Sequence, residues 1–281
     1  MPAAIRLMAP TDADAAADAV IHGDWGDRRQ FFHFASAHSE CRPFVAVDAG
    51  GAVVGTGVAT INGPVGWVGT IYVVPELRGA GVGKALTAAV IDALEAARCA
   101  TLVLVATDLG RPVYERLGFA VQTRYRILEH DGIAVPPGQA EDEAIRPFGP
   151  TDVPAAAVLD GTATGEERSH LLEAFADEPG SWALEGPEGS LRAFLVRPPW
   201  GGGATIAPEA EDAVRLLDHR RRLAGPEGRV RAGLLDENVQ GLARLQEAGW
   251  REAWSAVRMI RGEPLDWSPD QIWGQFNHAL G

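Results

Sequence analysis

The chain repeats itself at domain scale. Ile5-Arg6 and Pro10-Thr11-Asp12 recur as Ile145-Arg146 and Pro150-Thr151-Asp152, each set running into an alanine-rich stretch, at a constant offset of 140 residues. Tyr114-Glu115-Arg116-Leu117-Gly118-Phe119 recurs more loosely as Leu245-Gln246-Glu247-Ala248-Gly249-Trp250 at an offset of 131, so the later copy is about nine residues shorter. A period this long is not that of a solenoid, whose units run about 20–50 residues; it points to two copies of one fold. The 281-residue length agrees, since single domains commonly take about 100–200 residues. The expected organisation is a first domain over 1–130, a turn-rich linker over 131–144, a second copy over 145–262, and an aromatic segment over 263–281 that docks on a domain surface.

Within the first copy, residues 5–8 read as a short strand, and Thr11 or Asp12 as the N-cap of the helix that follows. Residues 43–48 and 52–61 form a hairpin about the turn at 48–51. Residues 67–74 are a strand that stops at Pro75, where the missing N–H ends ladder pairing. From Lys84 a helix presents Leu86, Val90, Ala93, Leu94 and Ala97 on one face. The apolar run 101–106 fits a strand covered on both faces. A helix over 111–117 ends at Gly118, and 121–127 alternate as a closing strand.

Between Pro75 and that helix lies Arg78-Gly79-Ala80-Gly81-Val82-Gly83. Glycines let the backbone curl and approach a ligand, while the N–H groups of a helix N-terminus carry partial positive charge, so the segment suits a diphosphate. A plain strand-to-helix turn is the alternative. No Gly-Lys-Ser/Thr ending follows, and no later acidic residue is placed to read a dinucleotide ribose.

These residues resemble the GNAT superfamily of acetyl-CoA-dependent N-acyltransferases. Arg78, Gly81 and Gly83 match its Arg/Gln-x-x-Gly-x-Gly/Ala motif, and the segment from Pro112 to Phe119 looks like its later Tyr-x-x-x-Gly-Phe motif. Ala106-Thr107-Asp108, then Gly110-Arg111-Pro112-Val113-Tyr114, a weaker second copy, and an ending with Ile272-Trp273-Gly274 and His278-Ala279-Leu280-Gly281 look like a two-domain, tandem-GNAT bacterial group. The implied fold class is α/β: two tandem domains, each a mixed, mostly antiparallel sheet flanked by helices.

The resemblance implies direct attack of a neutral amine on the thioester of acetyl-CoA. Cofactor contacts are then expected from the backbone of Ile71, Tyr72 and Val73 and from Arg78, Gly79, Ala80, Gly81, Val82, Gly83 and Lys84, with Tyr114 as general acid for the leaving thiolate. Many relatives have Asn near Thr107 to hold the pantetheine arm; this chain has Thr107-Asp108. Acceptor contacts are expected from residues 19–39, with Asp24, Trp25 and Phe31 as candidates beside Phe32 and Phe34; a helix's core face is the alternative reading of the phenylalanines. The general base stays open among His22, Asp24, Asp27 and an ordered water.

The second copy is expected to be degenerate. Its loop counterpart, Thr205-Ile206-Ala207-Pro208, lacks Gly-x-Gly and runs into Glu209, Glu211 and Asp212, and Leu245 replaces Tyr114.

A formal charge of −13 argues against nucleic acid as a partner. It agrees better with drawing in a cationic amine. Arg220-Arg221-Arg222 reads as a solvated helix face. No apolar run nears the roughly 18 residues of a membrane span, the N-terminus has no secretory pattern, and Cys41 and Cys99 sit in no metal-ligand spacing, so a cytoplasmic protein without a metal is expected. The leading function is N-acetylation of a small-molecule amine. Acetylation of protein lysines or N-termini is the runner-up, and a non-catalytic acyl-CoA-binding regulator the third; monomer and homodimer remain open.

Overall fold

The computed structural model describes residues 3–23, 25–108, 110–134 and 142–281. Asp24 and the linker positions 135–141 lie outside the described residues.

The first copy runs β1 (Ala4–Leu7), α1 (Ala13–His22), α2 (Arg29–Ala37), β2 (Cys41–Val47), β3 (Val53–Asn62), β4 (Val65–Val73), α3 (Val82–Ala96), β5 (Thr101–Ala106), α4 (Arg111–Glu115) and β6 (Ala120–Asp131). The second runs β7 (Ile145–Pro147), α5 (Val153–Thr164), α6 (Ser169–Ala174), β8 (Trp182–Glu185), β9 (Leu191–Val196), β10 (Ala204–Ile206), α7 (Ala210–Ala224), β11 (Arg229–Leu235), α8 (Val239–Glu247) and β12 (Arg251–Gly262), followed by β13 (Ile272–Gly274).

The repeated Ile-Arg and Pro-Thr-Asp motifs have a local cause. Arg6 clamps the Asp12 carboxylate at 2.6 and 2.9 Å while that carboxylate accepts the Ala9 N–H at 2.7 Å; Arg146 and Asp152 repeat this at 2.8 Å, with Gly149 as the donor at 3.0 Å. The Asp thus braces the short 3-10 turn between strand and helix, and its side chain is not spent on capping the helix N–H groups. Behind each turn an apolar stripe takes over: Ala13, Ala16, Ala17 and Val20 are buried on α1 at helical spacing. On α3, which begins at Val82, two residues before the expected Lys84, the buried stripe is Val82, Leu86, Val90 and Leu94.

Two sheets result, flanked by helices, in the order β1-β2-β3-β4-β5-β12-β6-β11 and β13-β10-β9-β8-β7; the first is mixed, with β4 and β5 parallel, whereas the second is antiparallel throughout, which corrects the expectation of a mixed sheet in each copy. The strands are not one sheet per copy. β5 pairs antiparallel with β12 of the second copy, β6 pairs with β11, and β12 pairs with β6 between them. Each half therefore lends its last long strand to the other, and alternation within one half carries no sign of such long-range pairing. β6 also continues to Asp131, past the expected end of the strand at 127.

Polar groups tie the halves together inside. Glu166 accepts from Asn62 Nδ2 at 2.7 Å and Trp67 Nε1 at 2.9 Å, Arg258 lies 3.7 Å from its other oxygen, and Arg258 stacks between the rings of Trp67 and Trp267. Among the described residues no helix is long and apolar enough to cross a membrane.

Candidate active site

β4 and β5 run parallel and are paired only from Val65↔Thr101 to Trp67↔Val103. From Val68 onward the edge of β4 facing β5 is unpaired, opening a V between the strands. Two local features shape that opening. Thr70 takes a left-handed φ of 50° where the β3–β4 register slips by a bulge, and its carbonyl accepts the Thr56 hydroxyl at 2.9 Å. Such a conformation costs a non-glycine residue about 1–3 kcal/mol, and strain of this kind concentrates at ligand sites. Gly69 faces the backbone of His278 and Ala279 so closely that a Cβ would collide with them.

At the end of β4 the glycine segment turns into α3. Gly79 and Gly81 need φ of 79° and 87°, and Gly81 is the N-cap of α3. Nothing lies within 4 Å of where their Cβ atoms would be, so the glycines answer to backbone conformation and leave an open cradle in front of the helix N-terminus. Arg78 turns back: its Nε donates to the Val73 carbonyl at 3.1 Å, and the guanidinium lies over the Tyr72 ring. It braces loop to strand. Lys84 is exposed at the cavity edge.

One cavity of about 1150 Å³ collects most of the expected residues. Ile71, Val73, Gly79, Gly81, Gly83, Lys84, Thr107 and Tyr114 line it, as do Trp25 and Phe31; Tyr72, Arg78, Ala80 and Val82 do not. The Tyr72 side chain is instead buried beneath Gly23 and meets Trp25 edge-on at 5.6 Å. Phe31 and Phe32 are buried and Phe34 packs on Phe175 and Trp200, so these phenylalanines are largely core. Thr107 Oγ1 accepts the Gly110 N–H at 3.2 Å. Tyr114 packs edge-on against Phe119, and burial pushes its phenol up to about 12, which keeps it protonated and able to donate.

The cavity also has Tyr125 and Trp254, which the sequence did not single out for the site, and His278 of the C-terminal segment. The three form an edge-on ring cluster, with the His278 ring centroid 5.7 Å from that of Tyr125 and 5.4 Å from that of Trp254. Both the Tyr125 hydroxyl and His278 Nδ1 are buried without a hydrogen-bond partner among the described residues, and burial, with the charge of Arg28 added, pushes His278 down to about 4. Trp200, Gly201, Gly202 and Gly203 complete the wall, with the Gly203 N–H bonded to the Gln275 carbonyl at 2.9 Å. Three consecutive glycines after a tryptophan were the available signal. Arg220 lines the cavity too, partly buried, and Arg221 stacks on Trp250, which corrects the solvated-face reading of these arginines: α7 lays them against β11.

In the second copy the opening equivalent to the V is closed. β13 pairs antiparallel with β10 and packs on β11, Asn238 Nδ2 reaches the Ile272 carbonyl, and Trp273 is buried with its indole N–H on the Ala207 carbonyl at 3.3 Å.

Residues 12–119 match the profile of the acetyltransferase (GNAT) family. This segment is similar to that family over its length, and the match ends before the second copy begins. Acetyl-CoA is the acyl donor of that family.

Over nearly the whole chain the fold is similar to that of a candidate acetyltransferase from Pyrococcus horikoshii, with a TM-score of 0.82 and 18% identity over 100% of this chain and 96% of that one. It is also similar to a tandem GNAT protein from the clavulanic acid biosynthesis pathway, with a TM-score of 0.63 and 15% identity, covering 94% and 100%. A GCN5-related N-acetyltransferase from Sphaerobacter thermophilus has a TM-score of 0.59 and 18% identity, covering 95% and 98%. At these identities the likeness is one of fold. No curated protein matches the chain's sequence.

Proposed function

We propose that the chain transfers the acetyl group of acetyl-CoA to the primary amine of a small molecule held between its two halves. One observation carries the reading: the glycine cradle, the unpaired edge of β4 and Tyr114 all line a single cavity whose far wall is built by the second copy and residues 274–279. A wall contributed by both halves suits a small acceptor better than a protein chain laid in an open groove.

When bound, acetyl-CoA supplies an activated acyl carbon. Backbone N–H groups of residues 81–84 hold the diphosphate at the start of α3. The edge of β4 over Ile71, Tyr72 and Val73 aligns the acyl arm and presents N–H donors toward the carbonyl oxygen, which stabilise charge as it develops there. Tyr114, kept protonated by its buried surroundings, gives its proton to the departing thiolate. The acceptor amine attacks in its neutral form, oriented by the cavity wall; the proton its nitrogen sheds on becoming an amide passes to water, and water returns a proton to Tyr114.

The second copy serves as a wall and not as a second donor site. β13 fills its opening, Leu245 is buried where the first copy has Tyr114, and Asp212 at the start of α7 is already paired with Arg192 at 2.8 Å. CoA release from acetyl-CoA, measured on the full chain against an amine library with product masses, tests the proposal. Turnover with at least one small amine is expected. Tight acetyl-CoA binding with no turnover on any amine would contradict it and favour a binding protein.

A further inference from the structure

The cavity crosses from the first copy into the second, and its cations are unusual for this chain. Just over half of the arginines have a carboxylate partner among the described residues, Arg229 and Arg231 of the cavity wall included, in a chain with 38 acidic residues against 25 basic ones. Arg28, Arg197 and Arg220 line the cavity without any among the described residues. Each donates instead to a backbone carbonyl: Arg28 Nε to Trp25 at 3.3 Å, Arg197 Nε to Gly202 at 3.0 Å, and Arg220 Nη1 to Arg231 at 3.0 Å.

These groups come from both halves. Arg28 precedes α2, Arg197 follows β9 and Arg220 sits on α7, and the ring contact of Phe31 with Trp200 at 5.8 Å joins the two sides of the wall. Burial pushes all three guanidiniums down, and Arg220, pressed further by the charge of Arg197, reaches about 9. Desolvated like charges without counter-ions cost free energy, and an oxyanion placed between them would relieve it.

We infer that the acceptor is an anionic amine, a primary amine whose skeleton also carries a carboxylate or phosphate, and that Arg197 and Arg220 hold that oxyanion while the amine reaches the V between β4 and β5. This rests on the acetyltransfer reading above and narrows its substrate class. It also reverses the expectation that an acidic chain draws in a purely cationic amine: the overall charge is negative, but this wall is positive. Guanidinium forks suit such an oxyanion by bidentate hydrogen bonding.

Matched pairs test the inference on the full chain: tyramine against tyrosine, cadaverine against lysine, and ethanolamine against phosphoethanolamine. Each is assayed for CoA release and titrated calorimetrically into the chain saturated with CoA. The anionic member of at least one pair is expected to bind and react better, by roughly ten-fold or more. Arg220→Gln should raise its KM about 30-fold or more and shift the KM of the anion-free partner by less than about three-fold, with acetyl-CoA affinity as the control; Arg220→Lys should restore part of the loss. The carboxylate and phosphate pairs separate the two sources of the oxyanion. Absence of preference in every pair overturns the inference, as does a loss of acetyl-CoA affinity in Arg220→Gln, which would assign the arginine to the donor's phosphates. If the unaltered chain fails to bind acetyl-CoA at all, the acetyltransfer reading falls first, and the inference with it.

Discussion

The carboxylate of Glu166 accepts the indole N–H of Trp67 at 2.9 Å, fastening the second copy to the strand from which the V opens. Both residues are buried, and the same oxygen takes Asn62 Nδ2, whose amide also reaches the Leu280 carbonyl at 2.9 Å. Removing the carboxylate leaves Arg258 buried without a counter-ion among the described residues, with only Gln122 Oε1 at 3.0 Å and two indole faces, and leaves the Trp67 N–H without its acceptor. Glu166→Ala is expected to destabilise the chain by about 3–5 kcal/mol, measured by urea denaturation. A loss below about 1 kcal/mol, the range of an exposed pair, would show that the bridge is not a structural tie.

Tyr114→Phe keeps the ring packed on Phe119 and removes only the hydroxyl. A kcat lowered roughly 10²–10⁴-fold is expected, with the dissociation constant for acetyl-CoA unchanged. Retained turnover in steady-state kinetics would assign the tyrosine to packing.

Gly81 holds a left-handed φ of 87° with free space around it. Gly81→Val therefore meets conformational strain, with no contact at its Cβ, at a cost of about 1–3 kcal/mol. Acetyl-CoA affinity should fall about ten-fold or more by calorimetry, with the far-ultraviolet circular dichroism spectrum unchanged. Undiminished affinity would remove the loop from the donor site.

Two imidazoles give the chain a pH signature. Burial pushes His170 and His278 down to about 4, His170 further by the charges of His38 and Arg168. The unfolded chain takes up these protons near pH 6.5 and the folded chain only near pH 4, so the unfolded state holds more protons in between. Their contribution is complete above about pH 6.5 and is lost progressively as pH falls toward 4. Urea midpoints should decline from pH 7 to pH 5, and NMR titration should show two imidazoles still neutral at pH 5. Ordinary titration of both near pH 6.5 would contradict their burial.

What the sequence revealed divides along local and non-local lines. The hairpin, the turn at Gly81 and the helix of Leu86 and Leu94 rest on contacts a few residues apart. The Arg6–Asp12 clamp, recurring as Arg146–Asp152, is equally local, and for that reason the repeat was visible. The exchange of β6 and β12 was not: Val257 pairs with Ala106 and Tyr125 with Leu235, and their alternation is the same whichever half supplies the partner. β13 is three residues long in an aromatic stretch, too short to carry a period. Arg220 was hidden by its neighbours, since a run of three arginines on a helix resembles a solvated face until β11 is laid beneath it. His278 belongs to the site only because residues 278 and 279 pack against Gly69, far away in the chain.

The proposed function requires one working donor site, in the first copy, beside a second copy whose opening is filled by β13. Calorimetric titration of the full chain with acetyl-CoA tests it most directly. A single site per chain, weakened by Gly81→Val, is predicted; two sites per chain, or one site indifferent to Gly81, would contradict it.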